Sequence, residues 1–215
     1  IDKQRDHYIH SVNVFILGLA IYAQNAKYRI AFRKAVMNRN DYPYSYDTRN
    51  EEFFYRWGLA SLFHDVGYPV EIVGRQINKF IDFATEVDGK DEKANVHLSF
   101  ANFNKLDCIN EVIPKRRFTE SYFNRYEDSI YIDMLKPVDL LAHKIHTSLG
   151  VDLRAVKNAL DDYVNVMAKC GFVDHGYYSA IIVLKWYGYL IQSANYKPEY
   201  FFWPVLDSAS AILLH

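Results

Sequence analysis

The stretch Ala60-Ser61-Leu62-Phe63-His64-Asp65-Val66-Gly67-Tyr68-Pro69 is where the reading of this chain turns. It closes an apolar run with an imidazole and a carboxylate side by side, and a Gly and a Pro follow at once. Upstream, Glu51 and Glu52 supply the negative charge that the start of a helix dipole favours. A helix over Asn50 to Asp65 is therefore predicted, stopped by Gly67 and Pro69. Gly58, Ala60 and Ser61 are small enough to let neighbouring helices come close to its end. Imidazole and carboxylate are both good ligands for Mn, Fe, Ni or Zn, and a carboxylate can bridge two cations. Standing alone, a His-Asp pair is more often a core imidazole donating to its neighbour, so the rest of the chain has to decide.

Outward from that segment the pattern is helical. On the N-terminal side Val14, Leu17 and Ile21 follow His10 at helical spacing, which predicts that His10 shares their face and points inward. Asp41 to Thr48, with Pro43 and three tyrosines, reads as a loop. On the C-terminal side helices are predicted over Glu71 to Glu86, Val138 to His146 and Leu153 to Ala168. A long one follows from Val173-Asp174 to Gln192, and a last one from near Pro204, after a loop at Lys197-Pro198. Val87 to Lys93 reads as a charged loop. The stretch from about 94 to 135, with Pro114 in it, reads as an insertion-like region. No alternating strand pattern and no repeat is present. The expected fold is all-α, a helical bundle over 1–215 as one domain with a central insertion-like region. A first residue of Ile1 and a helix running up to His215 suggest part of a longer chain.

Composition bounds the functions open to such a domain. Half of the residues are hydrophobic, with 18 Tyr and 14 Phe, which is ample for a packed core. Lys+Arg 25 against Asp+Glu 26 leaves a formal net charge of -1, so no overall pull toward nucleic acid or an anionic membrane is expected. The basic cluster Lys115, Arg116 and Arg117 reads as a solvated turn. Cys108 and Cys170 lie far apart without C-x-x-C spacing, which fits a reducing, cytoplasmic compartment and no zinc finger. No apolar run reaches the ~18 residues a membrane span would need.

Four pieces of the sequence, taken together, resemble the HD-domain superfamily of metal-dependent phosphohydrolases. Arg5-Asp6-His7-Tyr8-Ile9-His10-Ser11-Val12 looks like its opening motif, with a His near the start of an apolar helix. Leu62-Phe63-His64-Asp65-Val66-Gly67 is close to the pair that gives the family its name. Val173-Asp174-His175-Gly176 followed by Ser179-Ala180-Ile181-Ile182 resembles a His that opens a helix. Ser208-Ala209-Ser210-Ala211-Ile212-Leu213-Leu214-His215 resembles a His at a helix end with small residues one turn back. The pieces span nearly the whole chain in the family's order.

The resemblance implies metal ligands at His10, His64, Asp65, His175 and His215, with His64 and Asp65 at the catalytic centre. It implies one or two divalent transition metal ions per chain, Mn, Fe, Ni or Zn. The reaction implied is hydrolysis of a small phosphomonoester or phosphodiester, a nucleotide among the candidates, with further domains or oligomers as partners. Helical geometry points the same way: His175 shares a face with Ser179, Ile182 and Trp186, and His215 stands above Ala211 and Ser208. Several inward imidazoles in one apolar domain need hydrogen bonds or a metal to satisfy them.

The pattern also departs from the family. Its last ligand, an Asp on a helix after the final His, has no counterpart, and is expected beyond His215. Asp139, Asp174 and Asp207 are alternative carboxylates, Asp174 reading rather as a helix cap beside His175. Gly67-Tyr68-Pro69 differs from the cyclic-dinucleotide phosphodiesterases of the HD-GYP kind, whose downstream Gly-Tyr-Pro motif is missing. His7 reads as a substitute ligand or a neighbouring hydrogen-bonding group. His143 and His146, with Lys144 between them, read as surface residues, as do Lys185 and Arg75, which could otherwise neutralise a phosphate. His97 has no assigned role. Two rival functions share the scaffold: a di-iron oxygenase, and an inactive regulatory or scaffolding domain.

Overall fold

The computed structural model describes residues 2–37, 49–86, 137–170, 172–194 and 198–215. Among these residues the fold is all-α, with no strand. The helices are α1 (Asp2–Gln24), α2 (Ala26–Met37), α3 (Arg49–Phe63), α4 (Tyr68–Glu86), α5 (Pro137–Leu149), α6 (Leu153–Cys170), α7 (His175–Ala194) and α8 (Pro198–Leu213). Asp41 to Thr48, Val87 to Lys93, the insertion-like stretch at about 94–135, Cys108, His97 and the Lys115-Arg116-Arg117 cluster lie outside the described residues.

The core is built around α7 and α8. In α7 Tyr177, Ser179, Ala180, Ile181, Ile182, Val183 and Leu184 are all buried, so the first half of this helix is covered on every side, as a stretch apolar all round must be. α8 packs against α7, α3 and α5; α6 packs on α5, α4 on α7 and α1 on α3. Leu59 of α3, Leu140 and Leu141 of α5, Val183 and Leu184 of α7 and Leu206 of α8 meet in the main cluster. Leu213 packs against this cluster and against the two smaller ones, around Met167 and Val156, so the apolar interior is continuous. No helix among the described residues is long and apolar enough to cross a membrane.

Small residues set the close approaches. A Cβ at Gly18 would run into the Trp57 indole, whose Nε1 donates to Phe15 O at 2.9 Å. That contact seats α1 on α3. Ser208, buried in α8, shares its hydroxyl between Pro204 O at 2.7 Å and Arg56 O at 3.0 Å, joining α8 to α3.

Several expectations need correction. The buried stripe of α1 is Ser11, Gly18 and Tyr22, whereas Leu17 and Ile21 are 60% and 44% exposed and His10 is exposed with them. Apolar residues surround α1, so periodicity does not single out the face, and small Gly18 decides it by admitting Trp57. Trp186, expected inward with His175, is 57% exposed. Pro69 does not merely end α3: it stands in the first turn of α4, where a missing N–H costs no hydrogen bond. By the same rule α8 begins at Pro198, and Pro204 lies inside it. His143 is not a surface residue but 1% exposed on the core side of α5, and Lys144 beside it is buried with Nζ 2.5 Å from Asp207 Oδ1.

Candidate metal centre

His64 and Asp65 fall in the turn between α3 and α4, just past the last helical residue Phe63. Release from the helix lets two adjacent side chains face the same space. His64 is buried, and its Nδ1 donates to Ser61 O at 2.8 Å. That bond fixes the tautomer and leaves Nε2 with a lone pair, 3.4 Å from Asp65 Oδ1. Burial is the main cause that lowers the His64 pKa, reinforced by His215 and His10 and opposed by Ser61 O and Asp65. At neutral pH the ring is therefore neutral, the form in which an imidazole binds metal.

His175 opens α7 opposite the pair. Its Nδ1 donates to Glu71 Oε2 at 2.7 Å, and its Nε2 lies 3.6 Å from Asp65 Oδ1. Glu71 is buried in the first turn of α4 and is also paired with Arg75. His7, one turn before His10, donates from Nδ1 to the other carboxylate oxygen, Asp65 Oδ2, at 3.2 Å, with its ring 4.0 Å from that of Tyr68. The His10 and His215 rings stand 5.3 Å and 5.1 Å from His64, and His215 is 5.9 Å from His175.

Two glycines bring these elements together. A Cβ at Gly67 would strike His175 O and come within 2.6 Å of Ser179 N, while the Gly67 amide donates to buried Ser179 Oγ at 2.7 Å. The turn carrying Asp65 thus lies directly on the first turn of α7. At Gly176 a Cβ would be 3.3 Å from Ile212 O, so the start of α7 abuts the end of α8. Asp174 caps α7 as expected, accepting from Tyr177 N at 2.6 Å.

All five residues expected as ligands converge on one region. His7, His10, Asp65, His175 and His215, with Asp6 and Tyr68, line a cavity of about 440 Å3. One ligand atom each from His10, His64 and Asp65 lies within 4.8 Å of the others, close enough for a single cation. His7 joins them, as a hydrogen-bond partner of Asp65. Two of the alternative carboxylates do not: Asp139 pairs with Lys157 at 2.8 Å, and Asp207 with Arg56 at 2.9 Å and with Lys144. Arg75 is taken up by Glu71, and Lys185 does not line the cavity. Sequence reasoning missed Glu71 and Tyr68. An acidic residue in a first turn reads as a response to the helix dipole, and only the packing of α4 on α7 shows its second task.

A second cavity, of about 310 Å3, adjoins the first and shares His10 and His215 with it; Val14, Trp57, Ala60, Ser61, His64, Ala211 and Ile212 complete its wall. Compared with models of protein families, with characterised proteins and with solved structures, the chain has no match.

Proposed function

We propose that this chain is a metal-dependent phosphohydrolase of the HD kind, acting on a small phosphoester. The observation that carries the reading is the convergence of His10, His64 and Asp65 ligand atoms within 4.8 Å, beside a cavity lined by His7, His10, Asp65, His175 and His215. The donor set fits a transition metal: imidazoles outnumber carboxylates, which favours Zn, Fe, Ni or Mn over Mg or Ca. The hydrogen bonds fit as well. Nδ1 is occupied on both His64 and His175, by Ser61 O and by Glu71, so Nε2 of each is turned toward Asp65.

His10, His64 and Asp65 would hold the first ion, and His175 and His215 extend the set should a second bind. Bound there, a divalent metal supplies Lewis acidity, lowering the pKa of water and polarising a phosphoryl oxygen. The chain's own part is orientation. Asp65 presents Oδ1 to His64 and His175 while His7 holds Oδ2, so its carboxylate plane is fixed between three rings. Glu71 fixes the His175 ring, and its negative charge makes that imidazole a stronger donor.

Metal content per chain, measured by mass spectrometry on the wild type and on Asp65→Ala, tests this reading. The expected result is about one or two equivalents of transition metal in the wild type, lost in the variant, with turnover in a phosphoester screen. Protein that takes up no Mn, Fe, Ni or Zn even on reconstitution would reduce the chain to a helical domain with a binding role. Iron with oxygen-dependent turnover would assign it to oxygenase chemistry instead.

A further inference from the structure

Beyond its imidazole edge, the second cavity has a hydrocarbon wall and the right place for part of a substrate. It opens beside the candidate centre, with His10 and His215 common to both. Its remaining wall is largely hydrocarbon, from Val14, Trp57, Ala60, Ala211 and Ile212. Apart from the imidazoles of His10 and His215 and the Nε2 of His64 at its edge, its polar groups are engaged within the protein. Ser61 Oγ donates to Trp57 O at 2.5 Å, Trp57 Nε1 to Phe15 O at 2.9 Å and His64 Nδ1 to Ser61 O at 2.8 Å.

A nucleobase edge set against that hydrocarbon wall would lose its water and find few partners there, leaving donors and acceptors unpaired at a cost in affinity. An aryl or alkyl group meets no such penalty and removes apolar wall from water. Size agrees: an apolar cavity of about 150 Å3 already accepts benzene, and this one is about twice that.

We infer that this chamber is a subsite for an uncharged apolar group, an aryl ring or short alkyl chain, esterified to the phosphate that the histidine-lined cavity receives. The inference rests on the phosphohydrolase reading for the phosphate and on the chamber alone for the apolar group. It narrows the substrate class from nucleotides toward aryl and alkyl phosphoesters. Ala60 and Ala211, on α3 and α8, are the residues whose small size keeps the chamber open.

Calorimetric binding of phenylphosphonate and methylphosphonate to the Mn(II)-supplemented protein tests it, in the wild type and in Ala211→Leu, whose larger side chain fills the chamber from its exposed rim. Phenylphosphonate should bind roughly tenfold tighter or better in the wild type, in line with what an apolar pocket discriminates, and Ala211→Leu should abolish that preference while leaving Mn(II) content unchanged. Equal binding of the two phosphonates by the wild type overturns the subsite, as does a preference that survives in Ala211→Leu. Preference for the phenyl compound without hydrolysis of phenyl phosphate upholds the subsite and counts against the phosphohydrolase reading alone.

Discussion

His175 shows how a candidate ligand is made from two residues rather than one. Its Nε2 faces Asp65 only because Nδ1 is held by Glu71, itself buried. Glu71→Gln keeps the shape and removes the charge, so metal affinity should fall about 10–100-fold, as for other partners of ligating histidines. Titration against a chelating dye measures it, and an unchanged affinity would remove Glu71 from the site. His143 is the contrasting imidazole, walled off on the core side of α5, where burial first and the nearby Lys157 second hold its pKa down to about 4. It is neutral when folded, and unfolding exposes it to water, where its pKa returns to about 6.5. The unfolded chain therefore binds more protons between those values. The stability this group contributes is fully present above pH 6.5 and is lost as pH falls toward 4, by at most about 1.4 kcal/mol per pH unit. Urea midpoints at pH 7 and pH 5 should separate for the wild type, and less so for His143→Leu; equal separations would show that His143 titrates freely in the fold.

At the scale of elements, glycine sets where the α3–α4 turn meets the start of α7 and where that start meets the end of α8. Gly67→Ala places a methyl against the backbone of α7, which cannot swing aside as a side chain can. It should cost about 1–3 kcal/mol of stability and weaken metal binding by moving Asp65 from His175. Urea unfolding and the same dye titration check both effects, and a variant that matches the wild type in each would show that α7 has room to retreat. The helices themselves were largely legible, because the acidic start of α3, the Gly–Pro stop after it and the Asp174 cap are local signals. That these histidines and Asp65 would converge was legible because the His-bearing pieces are short motifs in a set order. What escaped had nonlocal causes. Apolar residues ring α1, so its buried face is chosen by Gly18 meeting Trp57, and that displaces His10 to an exposed edge of the cavity. The i, i+3 pair His143 and His146, with a lysine between, looks like a solvated face until Asp207 from α8 is seen to neutralise Lys144. The break at Asn25 that separates α2 from α1 carries no Gly or Pro, and α2 went unread.

Across the whole molecule, α3, α5 and α8 are tied together by a set of buried charges. Arg56 meets both Glu52 and Asp207, and Lys144 completes the group, with two positive and two negative side chains shielded from water. Deleting one member leaves the others uncompensated in a medium that solvates them poorly. Arg56→Met should cost about 3–5 kcal/mol, read as a lower urea midpoint, and a loss below about 1 kcal/mol, the level of an exposed pair, would show that water reaches the group. The candidate centre joins still more distant parts, since His10 belongs to the first described helix and His215 follows the last. On a translating ribosome the N-terminal wall of the cavity is in place long before α8 leaves the exit tunnel. A nascent chain can thus display His10, His64 and Asp65 while the α8 side is still open to bulk water. Were a cation to bind as proposed, its capture with all these walls present would wait until α8 had emerged, and a cell short of that metal would hold folded chains without this fastening.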